Sequence, residues 1–220
     1  MKYSFLNQYF NILPDRWVTH AQYWGPHTIV SASTDRTVAL WDARAAGDPL
    51  FILRHHDSHI SDILLGSRTD PLMVTAGGDG TLATWDLRTM TNSMKSSRST
   101  KTKTSRQPLA TMDHSEGRNC SGSILLSHGA SATGKSVISA GTDGIIKEWD
   151  VSTGRHVDKE FFGHRDGISC MTSFTINDEL SVENGVKSNN GLESSRVSGI
   201  ITCSWDGSVR LRRVFDKSQS

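Results

Sequence analysis

The chain has 220 residues, enough to bury a core as one domain, and its apolar and charged fractions (35% and 21%) are those of a globular protein. The net charge of +1 excludes a general electrostatic attraction to nucleic acid or to an anionic membrane. No stretch of about 18 apolar residues is present, so the composition excludes a membrane-spanning helix.

Four similar segments follow one another along the chain. Each has an alternating apolar run, a polar turn and a second alternating run, which predicts two strands joined by a hairpin. The turns centre on aspartates, and glycine follows the aspartate in three of the four, as a tight turn favours. The segments are IVSASTDRTVALWDAR, MVTAGGDGTLATWDLR, VISAGTDGIIKEWDV and IITCSWDGSVRLRRV, beginning at Ile29, Met73, Val137 and Ile200.

Further residue types recur at fixed distances from the turn aspartates Asp35, Asp79, Asp143 and Asp206. Four positions before each aspartate lies a hydroxyl residue, namely Ser31, Thr75, Ser139 and Thr202. Six positions after it lies Trp41, Trp85 or Trp149, each followed by aspartate, whereas the fourth segment has Arg212. A Gly163-His164 pair precedes the fourth segment, and His56 and His114 take comparable places before the second and third.

These aspartate turns, Trp-Asp endings and preceding histidines resemble the WD40 repeat family. The resemblance covers residues 17–214 and implies an all-β fold, a β-propeller built from blades of four antiparallel strands. It also implies a hydrogen-bonded chain within each blade. When the family pattern is carried over to this sequence, the hydrogen-bonded network would join His56, Thr75, Asp79 and Trp85 in the second blade. In the third blade it would join His114, Ser139, Asp143 and Trp149. We expect incomplete hydrogen-bonded networks in the other two blades. The first blade has Ser31, Asp35 and Trp41 but lacks a matching histidine, and the fourth has His164, Thr202 and Asp206 but lacks the tryptophan.

The predicted blades span residues 17–54, 55–112, 113–162 and 163–214. Because propellers close with about four to eight blades and this family usually uses seven, we expect the ring to be incomplete. The chain is then part of a longer propeller or pairs with another one. Residues 1–16 are a candidate closing strand for the last blade, and residues 215–220 form a tail.

Two polar insertions lengthen the intervals between repeats. Residues 89–106 carry five basic and no acidic side chains among many serines and threonines, so we expect a mobile loop. It is either a solvated insertion or a docking or phosphorylation loop, because Ser97 and Ser99 lie among basic residues. Residues 175–196 form the second insertion, between the first two strands of the fourth blade.

No catalytic, metal or cofactor site is predicted. Residues 129–136 (GASATGKS) match a phosphate-binding pattern, but a strand is expected to follow, so no helix would present its amides to a phosphate. The histidines, including the cluster at 55, 56 and 59, lack the spacing of metal ligands. Nucleic acid is disfavoured because no aromatic residues alternate with the lysines of residues 89–106.

The cysteine positions and the N-terminal sequence indicate the cellular compartment of the protein. Cys120, Cys170 and Cys203 have the spacing of neither a zinc site nor a disulfide framework, and polar residues interrupt residues 1–14, so no secretory signal is predicted. We expect an intracellular location, cytoplasmic and/or nuclear.

Two sets of residues are candidates for binding other proteins. The first is Trp205, beside a turn aspartate, with Arg36 and Arg165, because tryptophan and arginine often anchor interfaces. The second is Arg44 and Arg88 in two WDxR endings, which resemble the box by which many WD40 proteins bind the adaptor of cullin-4 ubiquitin ligases. We therefore expect a non-enzymatic scaffold that binds proteins. The alternatives are a ligase substrate receptor and the C-terminal propeller piece of a larger trafficking or F-box protein.

Overall fold

The computed structural model of the protein describes residues 17–44, 48–67, 69–90, 103–104, 107–115, 124–128, 136–177 and 196–214. These residues contain sixteen strands in four sheets. The only helical segment among them is a single turn at residues 87–90. No helix in this part of the chain is long and apolar enough to cross a bilayer.

The first sheet contains four antiparallel strands and a short fifth one at its edge. Its order is β1-β2-β3-β4-β8, and β8 runs parallel to β4. The strands are β1 (Val18–Tyr23), β2 (Thr28–Ser33), β3 (Thr37–Asp42), β4 (Phe51–Arg54) and β8 (Lys103–Thr104).

The second and third sheets each have four antiparallel strands, in the orders β5-β6-β7-β9 and β10-β11-β12-β13. The fourth sheet has three strands among the described residues, β14-β15-β16. The strands are β5 (Ile60–Leu65), β6 (Leu72–Gly77), β7 (Thr81–Asp86), β9 (Ala110–Asp113), β10 (Leu125–His128), β11 (Ser136–Ala140), β12 (Ile145–Asp150), β13 (His156–Phe162), β14 (Ile168–Asn177), β15 (Arg196–Ser204) and β16 (Val209–Val214).

The core lies between successive sheets, which explains why the middle strands are apolar on both faces. Val30, Leu40 and Phe51 on one face of the first sheet pack against Met73 and Trp85 of the second. The opposite face of the second sheet packs against the third, and the third against the fourth, in the same way. Each fully buried large side chain contributes about 1.5–3 kcal/mol, so packing between sheets is a major source of stability.

The four sheets therefore form a series. Contacts between sheets run mainly through their first strands, β1, β5, β10 and β14. The described residues make no comparable contact between the fourth sheet and the first. The face of the fourth sheet that carries Cys203, Val209 and Leu211 is turned away from the third sheet, and Val209 and Leu211 are exposed. We call it the outer face of the fourth sheet.

The insertion at residues 89–106 differs in part from the mobile loop expected from its composition. Thr89 and Met90 belong to the helical turn that follows β7, and Met90 is buried against the first two sheets. Lys103 and Thr104 pair with Phe51 and Ile52 of β4. An apolar anchor and a free strand edge thus order parts of a segment that its polar composition predicted to be unstructured.

Several predictions concern residues outside the described part of the chain. They include the candidate closing strand at residues 1–16, the tail at 215–220, Ser97 and Ser99, Cys120, and residues 178–195 of the second insertion. The phosphate-loop-like residues 129–135 also lie outside it, and Ser136 begins strand β11.

Candidate functional site

The second sheet contains a buried chain of four polar side chains. Thr75 Oγ1 lies 2.8 Å from His56 Nε2 and accepts a hydrogen bond from Trp85 Nε1 at 3.0 Å. His56 Nδ1 lies 3.4 Å from Asp79 Oδ2 and 3.0 Å from the hydroxyl of Thr81. Such a chain satisfies the polar atoms of a buried imidazole and indole, and so removes the cost of burying them.

The third sheet repeats this arrangement with the histidine ring turned over. His114 Nδ1 lies 2.8 Å from Ser139 Oγ, and Nε2 lies 3.4 Å from Asp143 Oδ1. Trp149 Nε1 donates to Ser139 Oγ at 2.7 Å. Here, as in the second sheet, one hydroxyl connects the histidine of the preceding loop to the tryptophan of the third strand.

The first and fourth sheets contain partial versions. In the first, Trp41 Nε1 donates to Ser31 Oγ at 2.8 Å, and Asp35 accepts hydrogen bonds from Thr37. In the fourth, His164 Nε2 lies 2.8 Å from Thr202 Oγ1 and Nδ1 lies 3.3 Å from Asp206 Oδ2. Arg212 occupies the place of the tryptophan, and burial lowers the pKa of its guanidinium.

Two of the turn aspartates also hold the loop that precedes their sheet. Asp79 Oδ2 accepts a hydrogen bond from the backbone N–H of Asp57 at 2.7 Å. Burial raises the pKa of Asp79, but hydrogen bonds from His56 and Thr81 outweigh it and hold that pKa far below its usual range. Asp206 has a similarly lowered pKa because Ser208, the backbone of Arg165 and His164 donate hydrogen bonds to it.

The aspartates of the Trp-Asp endings make a different turn at the other end of the hairpin. Each one accepts a hydrogen bond from the backbone N–H two residues later, which ends the strand in an Asx-turn. The donors are Arg44 for Asp42 (3.0 Å), Arg88 for Asp86 (2.8 Å) and Ser152 for Asp150 (2.8 Å). Tryptophan thus stabilises packing between sheets, while the aspartate beside it fixes the end of the strand.

Arg44 and Arg88 lie at these strand ends in neighbouring sheets, and both are exposed. The guanidinium of Arg44 makes a bidentate contact with its own Asp42, through Nε at 2.9 Å and Nη2 at 2.7 Å. That side-chain hydrogen bond lowers the pKa of Asp42. Arg88 Nη2 donates to the carbonyl of Thr69 at 2.7 Å. Both arginines therefore already have partners within the chain.

Trp205 lies in the turn between β15 and β16, with 66% of its surface exposed. Its backbone N–H donates to the carbonyl of Gly167 at 3.0 Å. Its ring lies over Gly167 so closely that a Cβ at that position would approach Cε3 to 2.9 Å. Arg165 is adjacent, because its backbone N–H donates to Asp206 at 2.9 Å. Backbone contacts thus fix both residues, while their side chains face solvent.

Arg36 lies in the corresponding turn of the first sheet and is not brought next to Trp205 by the contacts between sheets. It has a left-handed backbone conformation, with φ of 73°, where the other three turns have Gly80, Gly144 and Gly207. Non-glycine residues pay a steric cost in this region. The structure therefore groups Trp205 with Arg165 and leaves Arg36 as a separate exposed position.

Sequence reasoning missed a polar link between the first strands of three sheets. His20 Nε2 of β1 lies 3.2 Å from Asp62 Oδ1 of β5, and Asp62 Oδ2 accepts a hydrogen bond from the backbone N–H of Leu126 in β10 at 2.8 Å. Burial raises the pKa of Asp62 despite these contacts. Ser61 Oγ, next in sequence, bonds both the N–H and the carbonyl of Ile124. The contacts of β5 with β10 join residues more than sixty positions apart, which no local pattern reveals.

The described residues contain no group of three or more histidine, cysteine, aspartate or glutamate side chains arranged to hold a metal ion. Their polar clusters bind one another and the backbone. The arrangement is suited to holding turns and exposed side chains in fixed positions.

Four sheets of this strand order, packed in series and each containing a tryptophan–hydroxyl or histidine–hydroxyl network, are the blades of a β-propeller. A family model described as "WD domain, G-beta repeat" matches residues 47–86 and 156–212. The chain belongs to the WD40 repeat family.

Two curated relatives and one solved structure illustrate the similarity. The chain is 30% identical over 169 residues to the ribosome biogenesis protein YTM1 of Meyerozyma guilliermondii, which covers 67% of this chain and 35% of that protein. It is 36% identical over 64 residues to the Denticleless protein homolog of Gallus gallus, which covers 29% and 9%. The chain thus spans about a third or less of these relatives. The crystal structure of the computationally designed Ika4 protein has the same fold, with a TM-score of 0.58 and 20% identity, over 93% of this chain and 95% of that chain.

Proposed function

We propose that this protein is a non-enzymatic scaffold that binds other proteins through the surface formed by Trp205 and Arg165. The observation that carries the proposal is the exposed Trp205 ring, which lies against Gly167 because the backbone N–H of Trp205 donates a hydrogen bond to the Gly167 carbonyl. A large aromatic side chain that is already ordered loses little conformational entropy on binding, and a neighbouring arginine adds a charged contact.

Arg36 is a candidate for a second point of contact with a partner protein. A side chain kept at φ of 73°, where three other turns have glycine, costs stability at that turn. Such strain is retained where the side chain is used, so we include Arg36 as an accessory position on the first sheet. A partner that contacts both turns must extend along the series of sheets.

The test is quantitative affinity purification of the tagged full chain from cells, comparing wild type with Trp205→Ala and Arg165→Ala. Leu109→Ala is the matched control, because Leu109 is similarly exposed but lies immediately before β9 of the second sheet. We expect a set of proteins that both Trp205→Ala and Arg165→Ala lose and that Leu109→Ala keeps. If the same proteins are recovered with all four forms, binding occurs elsewhere on the molecule. If wild type recovers no specific protein, the proposed scaffold function is contradicted.

A second candidate function is that of a substrate receptor for a cullin-4-type ubiquitin ligase. It is supported by two exposed WDxR endings at the same strand position of neighbouring sheets. The internal contacts of Arg44 do not prevent this role, because an exposed ion pair is weak and can be exchanged for a partner's carboxylate. Adaptor and cullin recovered with wild type, and lost with the Arg44→Ala, Arg88→Ala double variant, would establish this role. Their absence from wild-type samples that retain other partners would eliminate it.

A further inference from the structure

Two of the three cysteines of the chain lie directly opposite each other in the fourth sheet. Cys170 of β14 and Cys203 of β15 are register partners in an antiparallel pair, although they are 33 positions apart in sequence. Both thiols are free. Side chains of directly opposed residues project from the same face of a sheet, so the two sulfur atoms share one side.

The backbone spacing at such a pair is compatible with a covalent bond between the sulfur atoms. Opposed residues in antiparallel strands have Cα atoms about 4.5 or 5.5 Å apart, depending on the type of pair. Disulfides span Cα separations of roughly 4.4–6.8 Å. Either type of regular pair falls within this range, and β14 has a bulge between Ile168 and Cys170 immediately before the pair.

Within the described part of the chain, the pair lies on an exposed face of the sheet. It lies on the outer face of the fourth sheet, in a row with Val209, which is exposed. Cys170 is exposed and Cys203 is half-buried. No third metal-ligating side chain accompanies them among the described residues, so the pair falls short of the four ligands of a structural zinc site.

We propose that Cys170 and Cys203 form a reversible redox pair that hydrogen peroxide converts into a cross-strand disulfide. The thiolate of Cys170, the more exposed of the two residues, attacks one oxygen of peroxide to give a sulfenic acid. The O–O bond breaks, and the hydroxide that leaves takes up the proton lost by the thiol and becomes one water. The thiolate of Cys203 then attacks that sulfur, which forms the S–S bond and releases a second water after protonation. Two thiols lose two electrons and two protons, and one peroxide becomes two waters. Exchange with two equivalents of a reducing thiol such as glutathione restores the dithiol.

The bond would tie together the two strands that lead to the Trp205 surface. Cys203 lies two residues before Trp205, and Cys170 lies three residues after Gly167, on which the Trp205 ring rests. The inference does not depend on the proposed scaffold function, because its test measures the chemistry of the sulfur atoms alone.

The experiment treats the purified full chain with hydrogen peroxide, blocks remaining thiols, and maps tryptic peptides by mass spectrometry without reduction. We expect one crosslinked species that joins residues 166–187 to residues 197–210 and disappears after dithiothreitol. Cys120→Ser is the control that retains the crosslink. In Cys203→Ser, dimedone should label Cys170 strongly, whereas in wild type the label should be weak because Cys203 consumes the sulfenic acid.

Two results would overturn the proposal. One is a wild-type map in which oxidation yields only intermolecular disulfides, or pairs containing Cys120, with no peptide linking 170 to 203. The other is equal dimedone labelling of Cys170 in wild type and in Cys203→Ser, since Cys203 would then have no part in the reaction.

Discussion

At the scale of single residues, the turn aspartates carry more interactions than their position in a hairpin requires. Asp79 accepts hydrogen bonds from its own turn and from the loop before the sheet, and it contacts His56. The aspartate at this position could be predicted from the repeated sequence, because its spacing from the hydroxyl and tryptophan is constant. The accompanying Thr37, Thr81 and Ser208 were overlooked, although a hydroxyl two positions after the aspartate is itself a repeated signal.

The lowered pKa of Asp79 predicts how acid affects stability. A carboxyl whose folded-state pKa lies below its unfolded value of about 3.9 stabilises the fold fully above the unfolded pKa. That contribution is lost as the pH falls from the unfolded pKa down through the folded-state pKa. We expect Asp79→Asn to be less stable than wild type at pH 7 by about 1–3 kcal/mol, and to lose less stability between about pH 5 and pH 2. Denaturant unfolding at several pH values measures both effects.

Asp57→Asn is the matched control, since only its backbone contacts Asp79 and its side chain is exposed. It should follow the wild-type pH dependence. A parallel acid response in wild type and Asp79→Asn would show that the hydrogen bonds to this carboxylate contribute nothing to folding.

The left-handed conformation of Arg36 gives a second prediction. Arg36→Gly removes a steric cost of about 1–2 kcal/mol but increases the entropy of the unfolded chain, so we expect a net gain of about 0.5–1 kcal/mol. Gly207→Ala is the reverse experiment: a Cβ there meets nothing within 4 Å, and only the φ of 78° opposes it. The Tm in thermal unfolding should rise for Arg36→Gly and fall for Gly207→Ala. A lower Tm for Arg36→Gly would mean that the arginine side chain stabilises the turn.

At the scale of strands and hairpins, the shared hydroxyl decides how strongly each blade is held together. Thr75 Oγ1 serves both His56 and Trp85, whereas Thr202 Oγ1 serves His164 and has no tryptophan beside it. Thr75→Val should cost about 2–4 kcal/mol, because two buried groups lose their partner, and Thr202→Val about half as much. Valine keeps the β-branched shape, so the difference reports the hydrogen bonds. Equal losses in urea unfolding would contradict this account.

The hairpins followed from local sequence patterns, but several contacts did not. The alternation of apolar residues and the Trp-Asp endings predicted the β2–β3, β6–β7, β11–β12 and β15–β16 hairpins. Nothing in the lysine- and serine-rich insertion indicated that Lys103 and Thr104 pair with β4, because a two-residue strand has no periodicity. Nor did the sequence indicate that Arg44 contacts the carboxylate of Asp42, two residues away.

At the scale of the whole molecule, the sheets are joined in series by apolar packing and by the link through Asp62 between β1, β5 and β10. The fourth sheet ends the described series with an outer face that exposes Val209 and Leu211. Adjacent exposed apolar side chains on a sheet favour association, whereas isolated ones do not.

We therefore expect self-association of the isolated chain to depend on this face. Leu211→Glu should shift sedimentation toward the monomer at high protein concentration, because a carboxylate interrupts the apolar row. Leu109→Glu, at a similarly exposed but isolated leucine, should not change it. If both variants sediment like wild type, the outer face does not take part in association.

The long β14–β15 hairpin has a practical consequence. Asn177, the last residue of β14, and Arg196, the first residue of β15, are partners across the ladder, so the two ends of the connection between them lie side by side. A domain whose own termini are adjacent, such as a fluorescent protein, can be grafted between these positions without pulling the strands apart. The hairpin thus provides an internal fusion point for a reporter at which both chain ends, and the turns that carry Trp205 and Arg36, keep their native sequence.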